Sequence, residues 1–129
     1  MKYMIVDDST HSRKMNAVAL KPFLKDDDQL IYATNGAEAV EKFDEFYPDV
    51  IFMDLTMPVM DGFEASERIL QKAKEDDSRV IIIVISADVQ QKTRDRLKEI
   101  GVKMFIKKPI STEAIRVVFE RIIKGLKDG

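Results

Sequence analysis

Two periods of apolar residues alternate along the chain. Five runs, "KYMIV" (2–6), "QLIYAT" (29–34), "DVIFMD" (49–54), "RVIIIVIS" (79–86) and "KMFI" (103–106), are short and rich in β-branched and aromatic residues, which predicts strands. Between them lie longer segments with helical spacing. Residues 36–46 place Ala39, Val40, Phe43 and Phe46 on one face, and residues 112–126 do the same with Ile115, Val118, Phe119, Ile122 and Ile123. Further helices are expected over 9–25, 63–74 and 89–100. Pro22 should end or kink the first near Lys21, because proline lacks the N–H and clashes with the preceding turn. Asn35 with Glu38, and Asp61 with Glu64, have the spacing of a capping residue with an acidic partner, Ser111 should cap the last helix, and Gly101 should close the fourth.

Five strands alternating with five helices predict an α/β fold, a doubly wound parallel sheet covered on both faces. "VIIIVI" fits a central strand, apolar on both sides. Neither an internal repeat nor a linker interrupts the pattern, so residues 1–129 read as one domain without an output domain. The acidic run "KDDD" (25–28) reads as a solvated loop.

Composition removes several kinds of chemistry. The chain has no cysteine, which excludes disulfides, thiol catalysis and cysteine-held metals. Its net charge of −2 gives no general attraction to nucleic acid. No apolar run approaches a membrane span, and the amino terminus enters a strand without a signal-peptide core, so a cytoplasmic monomer without membrane insertion is expected.

In a doubly wound sheet the functional crevice lies at the carboxyl ends of the strands. The residues there are Asp7 and Asp8 after strand one, Asp54 ending strand three, Ser86 ending strand four and Lys108 just past strand five. Two carboxylates about 4 Å apart repel by roughly 4 kcal/mol at an effective dielectric of about 20. Three of them facing one lysine call for a cation. An all-oxygen set with room for water suits Mg2+, with Mn2+ as a substitute. A divalent ion beside Lys108 makes a place for a phosphoryl group, and keeps Asp54 ionised and nucleophilic.

The motifs "VDDS" (6–9), "DLTMPVMDG" (54–62), "VISA" (84–87) and "KKP" (107–109), in this order and over nearly the whole chain, resemble the receiver domains of bacterial two-component response regulators, of the stand-alone chemotaxis-regulator type. The resemblance implies the flavodoxin-like strand order 2-1-3-4-5. It makes Asp54 the phosphoacceptor, taking phosphate from a sensor histidine kinase or phosphotransfer protein, and it makes the chain a switch rather than a turnover enzyme. Asp7, Asp8, Asp54 and the backbone carbonyl of Thr56 would be the metal ligands. Lys108 would pair with a phosphoryl oxygen, Pro109 would hold its loop through a cis peptide, and Ser86 would donate its hydroxyl to the phosphoryl. Phe105 would be the switch aromatic, turning inward as Ser86 moves. Thr56 and Asp88 would flank the path of attacking water. Helix four, strand five and helix five would carry the signal to a downstream protein, with a phosphatase as a further partner. Two positions depart from the commonest family pattern: serine stands at 86 where threonine is frequent, and Phe105 replaces a frequent tyrosine, so any switching rests on burial and shape.

Other classes fit less well. A haloacid-dehalogenase-type phosphatase would carry a second aspartate where Thr56 stands. A flavodoxin-like flavin carrier would need a Ser/Thr/Gly phosphate loop where Asp7 and Asp8 stand. His11, the one histidine, reads as a solvent-facing rim residue. Met53 reads as core, Met57 and Met60 as loop packing, and "RDRLK" (94–98) as a solvated helix face.

Overall fold

The computed structural model describes residues 1–88 and 90–128, with the side chains of 126–128 left aside. The elements run β1 (Lys2–Val6), α1 (Thr10–Leu20), β2 (Gln29–Ala33), α2 (Gly36–Phe46), β3 (Val50–Asp54), α3 (Gly62–Glu75), β4 (Ile81–Ser86), α4 (Gln91–Ile100), β5 (Met104–Lys107) and α5 (Thr112–Asp128). All strand pairs are parallel, in the order β2-β1-β3-β4-β5. The chain reverses its winding direction between β1 and β3, which opens a crevice above their carboxyl ends.

Alternation along the central strands divides the core. Met4, Val6, Ile51, Met53 and Val84 face α2, α3 and α4 through Phe43, Ile69 and Leu97. Tyr3, Ile5, Phe52, Ile83 and Ile85 face Leu20 of α1 and Ile115, Phe119 and Ile122 of α5. Every residue of β3 is buried, as a strand covered on both faces requires.

The expected caps are present. Asn35 Oδ1 accepts the Glu38 N–H at 2.8 Å, Asp61 Oδ1 that of Glu64 at 2.9 Å, and Ser111 Oγ that of Ala114 at 3.1 Å. Gly101 closes α4 with φ 112°, a conformation that favours glycine.

Some expectations need correction. The first helix stops at Leu20 rather than reaching residue 25, and Lys21–Phe23 form a single 3-10 turn around Pro22, whose missing N–H cannot continue the α ladder. Ile123, expected on the buried face of α5, is 52% exposed, because the face centred on Ile115, Phe119 and Ile122 has turned past it. Asp28 is not simply solvated, since its Oδ2 accepts the Lys25 N–H at 2.8 Å and closes the loop into β2. Residue 89, where the fourth helix was expected to begin, lies outside the described residues; the helix is regular from Gln91. The remaining element ends move by one or two residues. Among the described residues no helix is long and apolar enough to cross a membrane.

Candidate phosphorylation and metal site

Each strand end delivers its side chain for a local reason. β1 pairs with β2 through Ala33, and the ladder continues one step as Asp7 N–H donates to the Ala33 carbonyl at 3.1 Å. Asp7 is 1% exposed. Its Oδ1 accepts the Ser9 N–H at 3.0 Å, and Ser9 in turn caps α1 by accepting the Ser12 N–H at 3.2 Å. The Arg13 guanidinium donates to the Asp7 carbonyl at 2.7 Å and braces the turn from below. Asp8, next in the chain, is exposed.

Asp54 ends β3 opposite Ile85 of β4, largely buried at 8% exposure. The loop after it is folded tightly. Gly62 N–H donates to the Leu55 carbonyl at 2.9 Å, and Gly36 N–H to the Met60 carbonyl at 3.0 Å. A Cβ on Gly62 would stand 2.1 Å from the Asp54 carbonyl oxygen, so only glycine lets α3 begin this close to the end of β3. Thr56 lies exposed on this loop. Met53 is core, and Met57 and Met60 pack beneath the loop against the α2–α3–α4 cluster.

Lys108 reaches the same place from the far edge of the sheet. Its N–H donates to the Ser86 carbonyl at 3.0 Å, and the Lys108–Pro109 peptide is cis. Its Nζ stands 3.3 Å from Asp54 Oδ1 and 3.6 Å from Asp7 Oδ2. Burial holds the Asp54 carboxyl above its ordinary range; Lys108 opposes the shift and the Asp7 charge adds to it.

Asp7, Asp8 and Asp54 can each present an oxygen within 4.8 Å of the others. Asp7 Oδ2 is buried and accepts no hydrogen bond. A buried carboxylate oxygen is a costly group to leave without a partner, and Lys108 stands beyond hydrogen-bond length from it. These residues therefore fit a hard divalent cation, which would satisfy the orphaned oxygen and offset the crowding of three carboxylates. The three carboxylates form an acidic cluster that could hold a metal ion, as a phosphorylation site of this kind requires.

Ser86 ends β4 with its Oγ accepting the Asp88 N–H at 3.1 Å, which leaves the hydroxyl proton available to an incoming acceptor. Asp88, expected at the rim, points its carboxylate along α4. Oδ1 accepts the Gln90 N–H at 2.9 Å and Oδ2 the Thr93 hydroxyl at 2.7 Å. The Gln90 bond, then the Thr93 bond, hold its carboxyl below the usual range. Asp88 thus supplies the cap that Gln90, at the helix start, does not make. Sequence reading missed this role; the aspartate just before α4 with threonine five residues on was the available signal. Likewise, Gly62 was legible as part of a motif, but its reason is the steric contact above.

Phe105 on β5 is half-buried against the α4 side, with the Arg94 guanidinium 5.4 Å from its ring centre. Arg96 lies 3.9 Å from the centre of the Phe63 ring and Leu97 is buried in the core, so "RDRLK" is a solvated face only in part. In a helix these five residues span more than one turn, and one of them must face the sheet. His11 is exposed on α1.

Comparison with known proteins agrees with this arrangement. The family model described as the response regulator receiver domain matches residues 3–120. A chemotaxis protein CheY of Listeria monocytogenes is 37% identical over 126 residues, covering 96% of this chain and 99% of the relative. Among solved structures, the complex of CheX with CheY, BeF3 and Mg2+ from Borrelia burgdorferi matches with TM-score 0.78 and 28% identity, covering 98% of this chain and 89% of the other. The receiver domain of Saccharomyces cerevisiae Ssk1, crystallised with the histidine phosphotransfer protein Ypd1, matches with TM-score 0.79 and 26% identity, covering 90% and 83%.

Proposed function

Because the chain belongs to the response regulator receiver family, a family of phosphorelay switches and not of turnover enzymes, we propose that Asp54 accepts a phosphoryl group from a histidine donor and that the resulting aspartyl phosphate re-sets a partner-binding face on α4, β5 and α5. The observation that carries the reading is one carboxylate at the end of the central strand with two others within 4.8 Å and a lysine at 3.3 Å. In the transfer, an Asp54 oxygen attacks phosphorus, the P–N bond of the donor breaks, and its electron pair leaves on the imidazole nitrogen. Lys108 is placed to meet a phosphoryl oxygen, and Ser86 can donate its hydroxyl to another while still accepting the Asp88 N–H. A bound Mg2+, or Mn2+ in its place, would neutralise phosphoryl charge, held by Asp7, Asp8, Asp54 and the Thr56 carbonyl.

Movement of Ser86 toward the phosphoryl is transmitted in two directions. Its bond to the Asp88 N–H draws on the cap of α4, and its carbonyl holds the Lys108 N–H ahead of α5. Phe105 lies between and turns into the space that Ser86 vacates. Charge-assisted hydrogen bonds contribute about 1.5–3 kcal/mol each, enough to make a minor conformation dominant without refolding the domain. Thr56 and Asp88 remain the rim positions that set the lifetime of the phosphoryl, Asp88 by releasing its helix cap to orient water, and Pro109 holds the lysine loop. The partners of this reading are a sensor kinase or phosphotransfer protein, a downstream protein target, as in chemotaxis signalling, and a phosphatase. The Ypd1 and CheX complexes of related receivers support such partnerships.

Two variants test the assignments. Asp8→Ala should weaken Mg2+ binding tenfold or more, seen by titration, while chemical denaturation stays within about 0.5 kcal/mol of wild type, because an exposed charge holds the metal but not the core. Unchanged metal affinity refutes the cradle. Lys108→Ala should bind the ion several-fold more tightly, its competing charge gone, and still label with acetyl phosphate. It should nevertheless lose the phosphorylation-induced change in amide exchange over residues 86–108. A wild-type exchange response would remove Lys108 from the switch.

A further inference from the structure

At the amino end of the sheet, opposite Asp54, the described residues line a cavity of about 370 Å3 between β1, the turn after α1 and α5. Pro22 is the origin of its shape. Because α1 stops at Leu20, the 3-10 turn over Lys21–Phe23 lays Phe23 across α5, where its ring stacks on Phe119 with 5.1 Å between centres and 17° between planes. Tyr3 meets the same Phe119 from β1, its ring centre 5.7 Å away. Ile122 and Ile123 complete the apolar wall, with the exposed Ile123 at the lip. Polar groups are few. Tyr3 is 4% exposed, and among the described residues its hydroxyl donates only to Met1 Sδ, a weak acceptor, at 3.8 Å. A buried O–H with so poor a partner is close to an unsatisfied donor. Burial, with Asp28 and Asp49 adding to it, pushes the phenol up to about 12, so it keeps its proton throughout the physiological range. Asp28 is already occupied: Oδ1 accepts from the Met1 amino group at 2.7 Å and Oδ2 from the Lys25 N–H at 2.8 Å. Lys25 and Asp27, both exposed, place one charge of each sign at the lip.

We propose that this cavity binds a small uncharged aromatic molecule carrying one hydrogen-bond acceptor, such as an aryl ketone. The inference goes beyond the phosphoryl switch, and none of the lining residues belongs to the phosphorylation site. A planar ring suits walls made of Tyr3, Phe23 and Phe119, which offer both faces and edges for aromatic contact. The volume lies at the small end of ligand sites, with room for one compact ring system. The acceptor oxygen takes the Tyr3 O–H in place of the long bond to sulfur, which satisfies the buried donor. Charge selects against ions. An anion would gain Lys25 but face Asp27 and Asp28, whereas a cation would find Asp28 already paired and meet both Lys25 and the Met1 amino group. A neutral ligand loses nothing at the lip and gains the apolar wall.

The test titrates the full chain with acetophenone, toluene, benzoate and benzylammonium, followed by the side-chain resonances of Tyr3, Phe23, Phe119, Ile122 and Ile123 and by thermal melts. Acetophenone should saturate with a Kd of about 1 mM or below and move those resonances. It should bind about threefold or more tighter than toluene, about tenfold tighter than either ion, and raise Tm with concentration. Tyr3→Phe keeps the ring and removes only the hydroxyl, so it should bring acetophenone down to the affinity of toluene while toluene itself is unaffected. Ile123→Asp, at an exposed position on the lip, should weaken both neutral probes about tenfold, and it reads the same cavity should Tyr3→Phe fail to fold. Equal binding of acetophenone and toluene by wild type would reduce the cavity to an apolar crevice and overturn the proposal. So would tighter binding of benzoate or benzylammonium, undiminished acetophenone binding by either variant, or no saturation by about 10 mM.

Discussion

Asp54→Asn should reduce phosphoryl incorporation from acetyl phosphate by more than about a thousandfold while leaving the circular dichroism spectrum unchanged. Amide oxygen is a poor nucleophile, and the neighbouring carboxylates cannot take over. Asp7 Oδ1 is occupied by the Ser9 N–H, and Asp8 is exposed at the mouth of the site, where water competes with an incoming phosphoryl group. The same change should make the protein more stable in chelator. Two carboxylates whose oxygens lie within 4.8 Å of one another repel by about 3 kcal/mol or more at an effective dielectric of about 20, and one lysine offsets only part of this. A net gain near 1 kcal/mol, or roughly 3–6 °C in Tm, is expected. Undiminished labelling, mapped by mass spectrometry to another residue, would displace Asp54 as the acceptor. A lower Tm would show that the three acids do not strain the fold.

Gly62→Ala should destabilise the domain by roughly 3 kcal/mol, lowering Tm on the order of 10 °C, and should impair phosphorylation as well. The new methyl would lie 2.1 Å from the Asp54 carbonyl oxygen and 2.8 Å from the Leu55 Cα. Both atoms are backbone at the end of the central strand, so no side chain can rotate away. Relief requires α3 to withdraw, which breaks the Gly62-to-Leu55 hydrogen bond and shifts the nucleophile. Gly125→Ala is the control. Nothing lies within 4 Å of its added Cβ on α5, so it should be neutral or stabilise by up to about 1 kcal/mol. Thermal melts of both variants decide the matter; equal behaviour would mean the loop after β3 is soft.

The kinds of element and their sequence order were legible before any coordinates, because helix and strand periods are local. A residue's neighbours within one turn or one pleat determine whether its side chain is buried with theirs. Capping is local too, and Asn35, Asp61 and Ser111 were readable for that reason. Pro22 announced an interruption, although only the folded chain put the last full turn at Leu20. The acids at the strand ends were visible as a pattern, and the family resemblance supplied the strand order that joins them.

Tertiary structure decided what depends on contacts distant in sequence. The 3.3 Å between Lys108 and Asp54 spans 54 positions, and it exists because β4 lies between β3 and β5 and the Ser86 carbonyl holds the Lys108 N–H. The direction of the Asp88 carboxylate was equally hidden, since a capping residue and a site-rim residue look alike until α4 is in place. Ile123 shows the limit of periodicity: the pattern names an apolar stripe, but the packing angle of α5 selects which edge of it stays wet. Local spacing sets which residues share a face, whereas strand order and helix packing set which faces meet. Charge, orphaned oxygens and steric limits act only between faces that have met.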